Sequence, residues 1–392
     1  MIRRLVQIIC VSLFLIAAHG SALWAPVIGG RILPAKMGLT ESGTIDSLLM
    51  RISLATEKVS YSGVQRRMVR HRGKPLELRW QEYHWHPDRT VVIFLAPDDL
   101  RNSKLVLQGE QLRYRGDRHF EKRIRYGGTK DLLLKNGQLF KEIALLHRNY
   151  RVQATRIQPF LERPTILLNV SPQHQNRPAL NALVDEKSGL LLQVNRRPIG
   201  SSTDSLVVMN QFLNISYETP DTTIFLRAWS ETKPLKKRRQ AKVYSDLATL
   251  MTSYDGEVLI PQKVPVGFAL LQIKSFQRRE RSFIHFLYSD GLTFISLFQR
   301  KGDHEKDDKK ERKGRSKSKS PFAIIRGSQG GLSYSIAGEV PRAELVEMAD
   351  SLVPIIRKNI NPKWKTMLPY LSVVLFVIIL FYMLRRREKS YA

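Results

Sequence analysis

Few residues of this chain have types and spacing that could do chemistry. His84-Trp85-His86 sets two imidazoles on one strand, a spacing that zinc or copper could use. No third ligand follows at a recognisable distance, so the pair reads better as a strand with a buried tryptophan between polar neighbours. Asp98-Asp99 after Pro97 resembles a turn or helix cap more than a general acid/base pair. No G-x-S-x-G, phosphate-loop or H-E-x-x-H motif occurs. Cys10 is the only cysteine, and it lies inside the first apolar run. A chain processed there has no disulfide, thiol nucleophile or cysteine metal ligand. The reading is therefore no enzyme, no catalytic residue, no metal and no cofactor.

The elements around these residues point to the cell envelope. Arg3 and Arg4 precede an apolar run from Leu5 to Ala18, with small residues offering cleavage after Gly20 or Ala22. Residues 1–22 read as an export signal, with an uncleaved anchor as the alternative. Met367 to Leu384 is 18 residues without a charge, about 27 Å as a helix and enough to cross a bilayer core. Arg385, Arg386, Arg387 and Lys389 follow, which favours a cytoplasmic tail at 385–392. The expectation is a single-pass protein of the inner (cytoplasmic) membrane, its bulk in the periplasm or extracytoplasmic space. The formal net charge is +29, of which about +24 falls on the exported portion. Exported cations meet anionic headgroups and cell-wall polymers, so no nucleic-acid partner is expected. The near absence of cysteine fits a bacterial envelope.

Between the ends, Ile45, Leu48, Leu49, Ile52 and Ala55 recur at helical spacing, with Thr44 placed as a cap and Asp46 in the first turn. From Val64 to Tyr217 the pattern changes to strand runs, among them Thr90–Leu95, Lys104–Leu107, Gln111–Tyr114, Thr165–Val170, Leu190–Val194 and Leu206–Ile215. This predicts an α+β fold: a curved antiparallel sheet wrapped on a helix over residues 40–232. Residues 233–256 read as a basic linker and 257–354 as a smaller domain, interrupted at 302–320 by a charged loop that can bury nothing. Pro341 opens a helix whose apolar face is Leu345, Met348, Ala349 and Leu352, and Pro354 closes it. Apolar strand faces could line a ligand pocket or simply pack on the first helix.

Four segments resemble the sigma-E regulatory family RseB/MucB. Leu48–Val64 is similar to that family's helix and first strand. Leu183–Val194 is similar to a D-x-x-[ST]-x-L hairpin shared with lipoprotein-sorting carriers. Lys263–Phe298 carries P-x-G-F at Pro265, Gly267 and Phe268, then Y-S-D-G-L at Tyr288, Ser289, Asp290, Gly291 and Leu292. Gly338–Leu352 carries G-E-V-P at Gly338, Glu339 and Pro341. The order is kept over about Ser47 to Val353. The resemblance implies a LolA-like half-open β-barrel covered by helices and a smaller α/β domain. It further implies binding to a membrane anti-sigma factor, with release prompted by lipid or lipopolysaccharide. Partner contacts are then expected in Val264–Phe298 and Phe322–Leu352. The alternative is a lipid or lipoprotein carrier. The anchor and the insertion at 302–320 depart from the family, whose members are soluble.

Overall fold

The structure, a computed structural model, describes residues 38–39, 42–71, 74–126, 140, 142–197, 199, 207–235, 241–254, 256–278, 281–301 and 323–355. The export signal, the charged loop at 302–320, the apolar stretch 367–384 and the tail lie outside the described residues. Among the described residues no helix is long and apolar enough to cross a membrane.

The larger sheet holds β1 (Gly38–Leu39), β2 (Tyr61–His71), β3 (Lys74–Trp85), β4 (Arg89–Ala96), β5 (Lys104–Gln108), β6 (Gln111–Arg115), β7 (Tyr150–Phe160), β8 (Arg163–Pro172), β9 (Ala179–Asp185), β10 (Leu191–Arg197), β11 (Val207–Ser216) and β12 (Lys233–Pro234). Its twelve strands run in the order β1-β7-β8-β9-β10-β11-β2-β3-β4-β5-β6-β12. The two-residue strands β1 and β12 stand at opposite edges, so the sheet stays open rather than closing as a barrel. Very short edge strands leave little unpaired backbone, a known protection against edge-to-edge pairing.

Helices fill its faces. Helix α1 (Ser42–Lys58) buries Ile45, Leu48, Leu49 and Ile52 against Val152, Ala154, Ile166, Leu168 and Val184. The apolar faces of β7–β10 therefore pack on the helix, the simpler of the two readings. Helix α2 (Arg118–Tyr126) brings Phe120 and Ile124 onto Trp80, Val92, Phe94 and Leu105. Helix α3 (Ile143–Asn149) leads directly into β7. Helix α4 (Thr222–Glu231) is capped by Asp221, whose side chain accepts from Thr223 N, and it covers Trp85, Val91 and Val106 with Phe225 and Ala228. Val91 and Val92 are adjacent yet both buried, because β4 is covered on both faces.

The smaller sheet orders β13 (Lys242–Tyr244), β15 (Ala269–Arg278), β16 (Arg281–Ser289), β17 (Phe294–Lys301), β19 (Leu332–Gly338) and β18 (Ala323–Gln329). A two-stranded ribbon of β14 (Val258–Pro261) and β20 (Leu352–Ile355) completes the domain. Helices α5 (Leu247–Ser253) and α6 (Arg342–Asp350) share one core with Ile273, Phe286, Leu297 and Ile336. All pairings described are antiparallel, so this is an antiparallel sheet with helices on it rather than an α/β unit.

Local details differ from the sequence expectations for physical reasons. Helix α1 begins at Ser42, so Thr44 lies within its first turn and does not cap it. The Asp46 carboxylate instead meets His147 Nε2 at 2.6 Å, tying α1 to α3. Helix α6 stops at Asp350, and Pro354 lies in β20. There its missing N–H costs little, because the helix has already ended. The stretch read as a linker carries β12 at one end, and β13 and α5 at the other. Tyr244 and Leu250 lie in the smaller domain's core, because β13 pairs with β15 and the spacing of Leu247, Leu250 and Met251 gives α5 one buried face.

Candidate functional site

The sequence motifs converge on the seam between the two domains. Pro265 to Phe268 makes a turn closed by the Phe268 N–H on Pro265 O at 3.1 Å. Gly267 has φ +89°, the left-handed value that the third residue of a type II turn requires. A Cβ there would stand 2.5 Å from Asn149 Oδ1. Asn149 Nδ2 donates to Gly267 O at 2.8 Å and to Asp290 O at 2.9 Å, joining the end of α3 to two loops of the smaller domain. Phe268 lies beneath the Arg177 guanidinium, 5.3 Å from carbon to ring centre.

The Tyr288–Leu292 motif is the connection from β16 to β17. Tyr288 is buried in the smaller domain's core, and burial pushes its phenol well above the ordinary range. Ser289 Oγ donates to Thr293 O and accepts from Gly291 N, closing the turn. Asp290 Oδ1 accepts from Leu292 N at 2.9 Å and Thr293 N at 2.7 Å. Its Oδ2 accepts the Tyr150 hydroxyl at 2.7 Å, across the seam. Burial first, and the Asp290 charge second, raise the Tyr150 phenol well above its usual value, so it remains a donor. Gly291, at φ +100°, lets the turn press on α3: a Cβ would come 2.5 Å from Leu146 N. Leu292 then enters the larger domain's core beside Leu146 and Tyr150.

The third motif closes the seam. Gly338 pairs with both Ile295 and Ala323, and a Cβ would stand 2.9 Å from Ile295 Cγ1. Glu339, 3 % exposed, faces Arg196 of β10 at 2.5 Å. Burial raises the Glu339 carboxyl above its ordinary range, and Arg196 only partly opposes this. Pro341 O accepts from the first turn of α6, which aims Glu344 at Arg177. Arg177 Nη1 and Nη2 grip both Glu344 oxygens at 3.0 and 2.8 Å, and Nη2 also donates to Val266 O.

Sequence reasoning thus singled out one side of the seam. Asn149, Tyr150, Arg177 and Arg196 on the other side had no local signal, since each is one polar residue in an ordinary strand or loop. Buried charges placed across an interface are costly to separate, about 3–5 kcal/mol when one partner is removed. The arrangement holds two domains in one register. It assembles no nucleophile–base pair, and its polar atoms face each other rather than an open cleft.

Elsewhere, His84 is buried, with Nε2 2.6 Å from Thr56 O and Nδ1 2.9 Å from Thr90 Oγ1, whereas His86 is exposed. β3 ends at Trp85, so His86 lies beyond the strand and the two imidazoles have different surroundings, which leaves no shared coordination site. Asp98 and Asp99 form a single 3-10 turn, and Arg101 reaches Asp98 at 2.5 Å. Glu82 is buried beneath the sheet and accepts from Tyr61, Gln65 and Trp80 at 2.8, 2.8 and 3.0 Å. Burial raises its carboxyl despite these donors. Its oxygens are already occupied, so it serves the fold. Among the described residues no group of three or more potential metal ligands occurs.

A large open antiparallel sheet locked to a small one by buried polar pairs defines a two-domain β scaffold. This is the fold of MucB. A structure of MucB in complex with MucA(peri) matches 79% of this chain and 98% of that chain, at 17% identity and a TM-score of 0.52. The Pseudomonas aeruginosa MucA/MucB complex matches 79% and 99%, at the same identity and TM-score. No family model matches the chain. No curated protein matches it either.

Proposed function

We propose that this protein is a membrane-anchored extracytoplasmic regulator that binds an anti-sigma factor or a similar membrane partner. The observation that carries this reading is the MucB fold extending over both domains, with MucB seen in complex with MucA(peri). The RseB/MucB-like motifs at the seam support it, because they keep the two domains acting as one body. The protein acts by binding, and segment 367–384 anchors it in the inner membrane. Confinement to that membrane raises its effective concentration near a membrane partner, so a weak contact suffices. A lipid-carrier role has less support, since α1 and α2 already occupy the apolar faces that would hold acyl chains. Cross-linking in native membranes, followed by purification in detergent, tests the reading. Recovery of a single-pass anti-sigma factor is expected. Recovery of lipoproteins in its place, with acyl chains bound to the purified protein, would overturn it in favour of the carrier.

A further inference from the structure

The two faces of the smaller sheet are unlike. Helices α5 and α6 pack on Ile273, Phe286, Leu297 and Ile336, and alternation along each strand turns the neighbouring residues to the opposite face. Strand register sets that opposite face in rows. Lys274 pairs with His285, His285 with Phe298, and Phe298 with Ser335, which pairs in turn with Arg326. In the next row Phe276 pairs with Phe283.

These aromatic residues are half-buried and belong to none of the apolar cores among the described residues. They pack on one another instead. Phe276 and Phe283 stack with ring centres 5.2 Å apart, and His285 and Phe298 stack at 4.2 Å. Val243 extends the first row at the β13 edge and is 55 % exposed. Phe294 of β17 lies on the same face by alternation and is 43 % exposed. Contiguous apolar area left on a surface and rimmed by polar groups marks an interaction site.

Two polar atoms sit among the rings. His285 Nε2 and Ser335 Oγ are buried and have no hydrogen-bond partner among the described residues. Burial first, and the charge of Lys274 second, lower the His285 imidazole to about 4, so it is neutral at neutral pH. The charges at the rim are of one sign. Lys274 and Arg326 stand on either side of His285 and Phe298, and no acidic residue takes a place in these rows. An occupant of this face must bring apolar side chains, hydrogen-bonding groups and negative charge together. Acyl chains offer nothing to Nε2 or Oγ. A second copy of this chain, at a net charge of +29, would set cation against cation. An acidic polypeptide meets all three requirements.

We infer that this face of the smaller sheet docks an acidic segment of the partner protein, with apolar side chains on Phe276, Phe283 and Phe298 and carboxylates at Lys274 and Arg326. The inference rests on the reading of this protein as a binder of a partner protein, and gives that binding a surface and a chemistry.

Full-length protein in native membranes provides the test, with photoreactive p-benzoylphenylalanine in place of Phe294, of Val243 or, on the larger domain, of the exposed Leu226. Mass spectrometry of the products at 294 and 243 is expected to identify one acidic segment of another protein, and position 226 is expected to capture none of it. K274E/R326E should lower the yield about ten-fold, and raised salt should lower it in the parent chain. A yield unchanged by both would overturn the inference. So would products at 294 and 243 with lipid, with a second copy or with another part of this chain, or no product at either position. The identity of the captured protein bears on the regulator reading separately. An acidic segment of a protein that is no regulator would support this surface and count against that reading. Capture of an anti-sigma factor at 226 alone would do the reverse.

Discussion

Two turns of this protein are built alike and used differently. At Asp185–Gly189 the Asp185 carboxylate accepts from Lys187 N and Ser188 N, and from Arg163 Nε at 2.7 Å. At Asp290–Thr293 the Asp290 carboxylate accepts from two turn amides and from the Tyr150 hydroxyl. Each turn presses a glycine of positive φ against a helix backbone. Gly189, at φ +75°, meets Arg51 of α1, and Gly291 meets Leu146 of α3. The first helix belongs to the turn's own domain and the second to the other domain. The same local chemistry therefore stabilises one fold in the first case and couples two folds in the second. Arg163 stacks over Tyr217 and keeps the first turn's charge balanced locally. The second turn borrows a neutral phenol across the seam, where Arg177 pairs with Glu344 and Arg196 with Glu339.

Substitutions can break this comparison, and the largest effect is expected at the buried charges. Glu339→Ala removes the carboxylate facing Arg196 and should cost about 3–5 kcal/mol. The loss should appear as separate unfolding of the two domains in a denaturant titration. The pair R196M/E339L should recover most of it, because apolar isosteres avoid the desolvation cost.

Next come the glycines. Gly189→Ala and Gly291→Ala should each cost about 2–3 kcal/mol, since both meet backbone that cannot move aside. Gly189→Ala should lower the midpoint of the larger domain alone. Gly291→Ala should leave both midpoints near native and make the two transitions separate. Equal behaviour of the two variants would remove the distinction between the turns.

Tyr150→Phe should cost about 1–2 kcal/mol, the price of leaving an Asp290 lone pair buried without its donor. Limited proteolysis, faster than in the parent, would register it as a loosened seam. The smallest effect is expected from pH. Burial alone would raise the Asp185 carboxyl, but Arg163 and the turn amides outweigh burial and hold it below its ordinary range. The stability from this group is therefore present above the ordinary carboxylate range and lost as pH falls through the depressed value. Asp185→Asn should flatten the acid limb of the larger domain's unfolding below about pH 4.

Much of the scaffold could be read in advance because its signals are local. The apolar spacing of Ile45, Leu48, Leu49 and Ile52 places α1, and all four are buried. The runs at Thr90–Leu95 and Thr165–Val170 lie within β4 and β8. The glycines of Ser188-Gly189 and Asp290-Gly291 mark turns because positive φ is a property of one residue. Asp46 was misplaced because α1 begins at Ser42, which puts Asp46 beyond its first turn, where its carboxylate meets His147, 101 positions away. The smaller domain's boundary at Lys242 was missed because its buried face depends on β15, which follows in sequence.

By itself the sequence determined strands such as those at Thr90–Leu95 and Thr165–Val170, turns such as Ser188-Gly189, and which motifs set Pro265–Phe268, Tyr288–Leu292 and Gly338–Pro341 apart. Only the tertiary structure decided that these three motifs meet, and that they meet Asn149, Tyr150, Arg177 and Arg196 in a buried seam. The reason is physical. Turn and strand propensities act over a few residues, whereas the cost of burying a charge depends on the opposite charge that folding brings to it, between 143 and 167 positions away here.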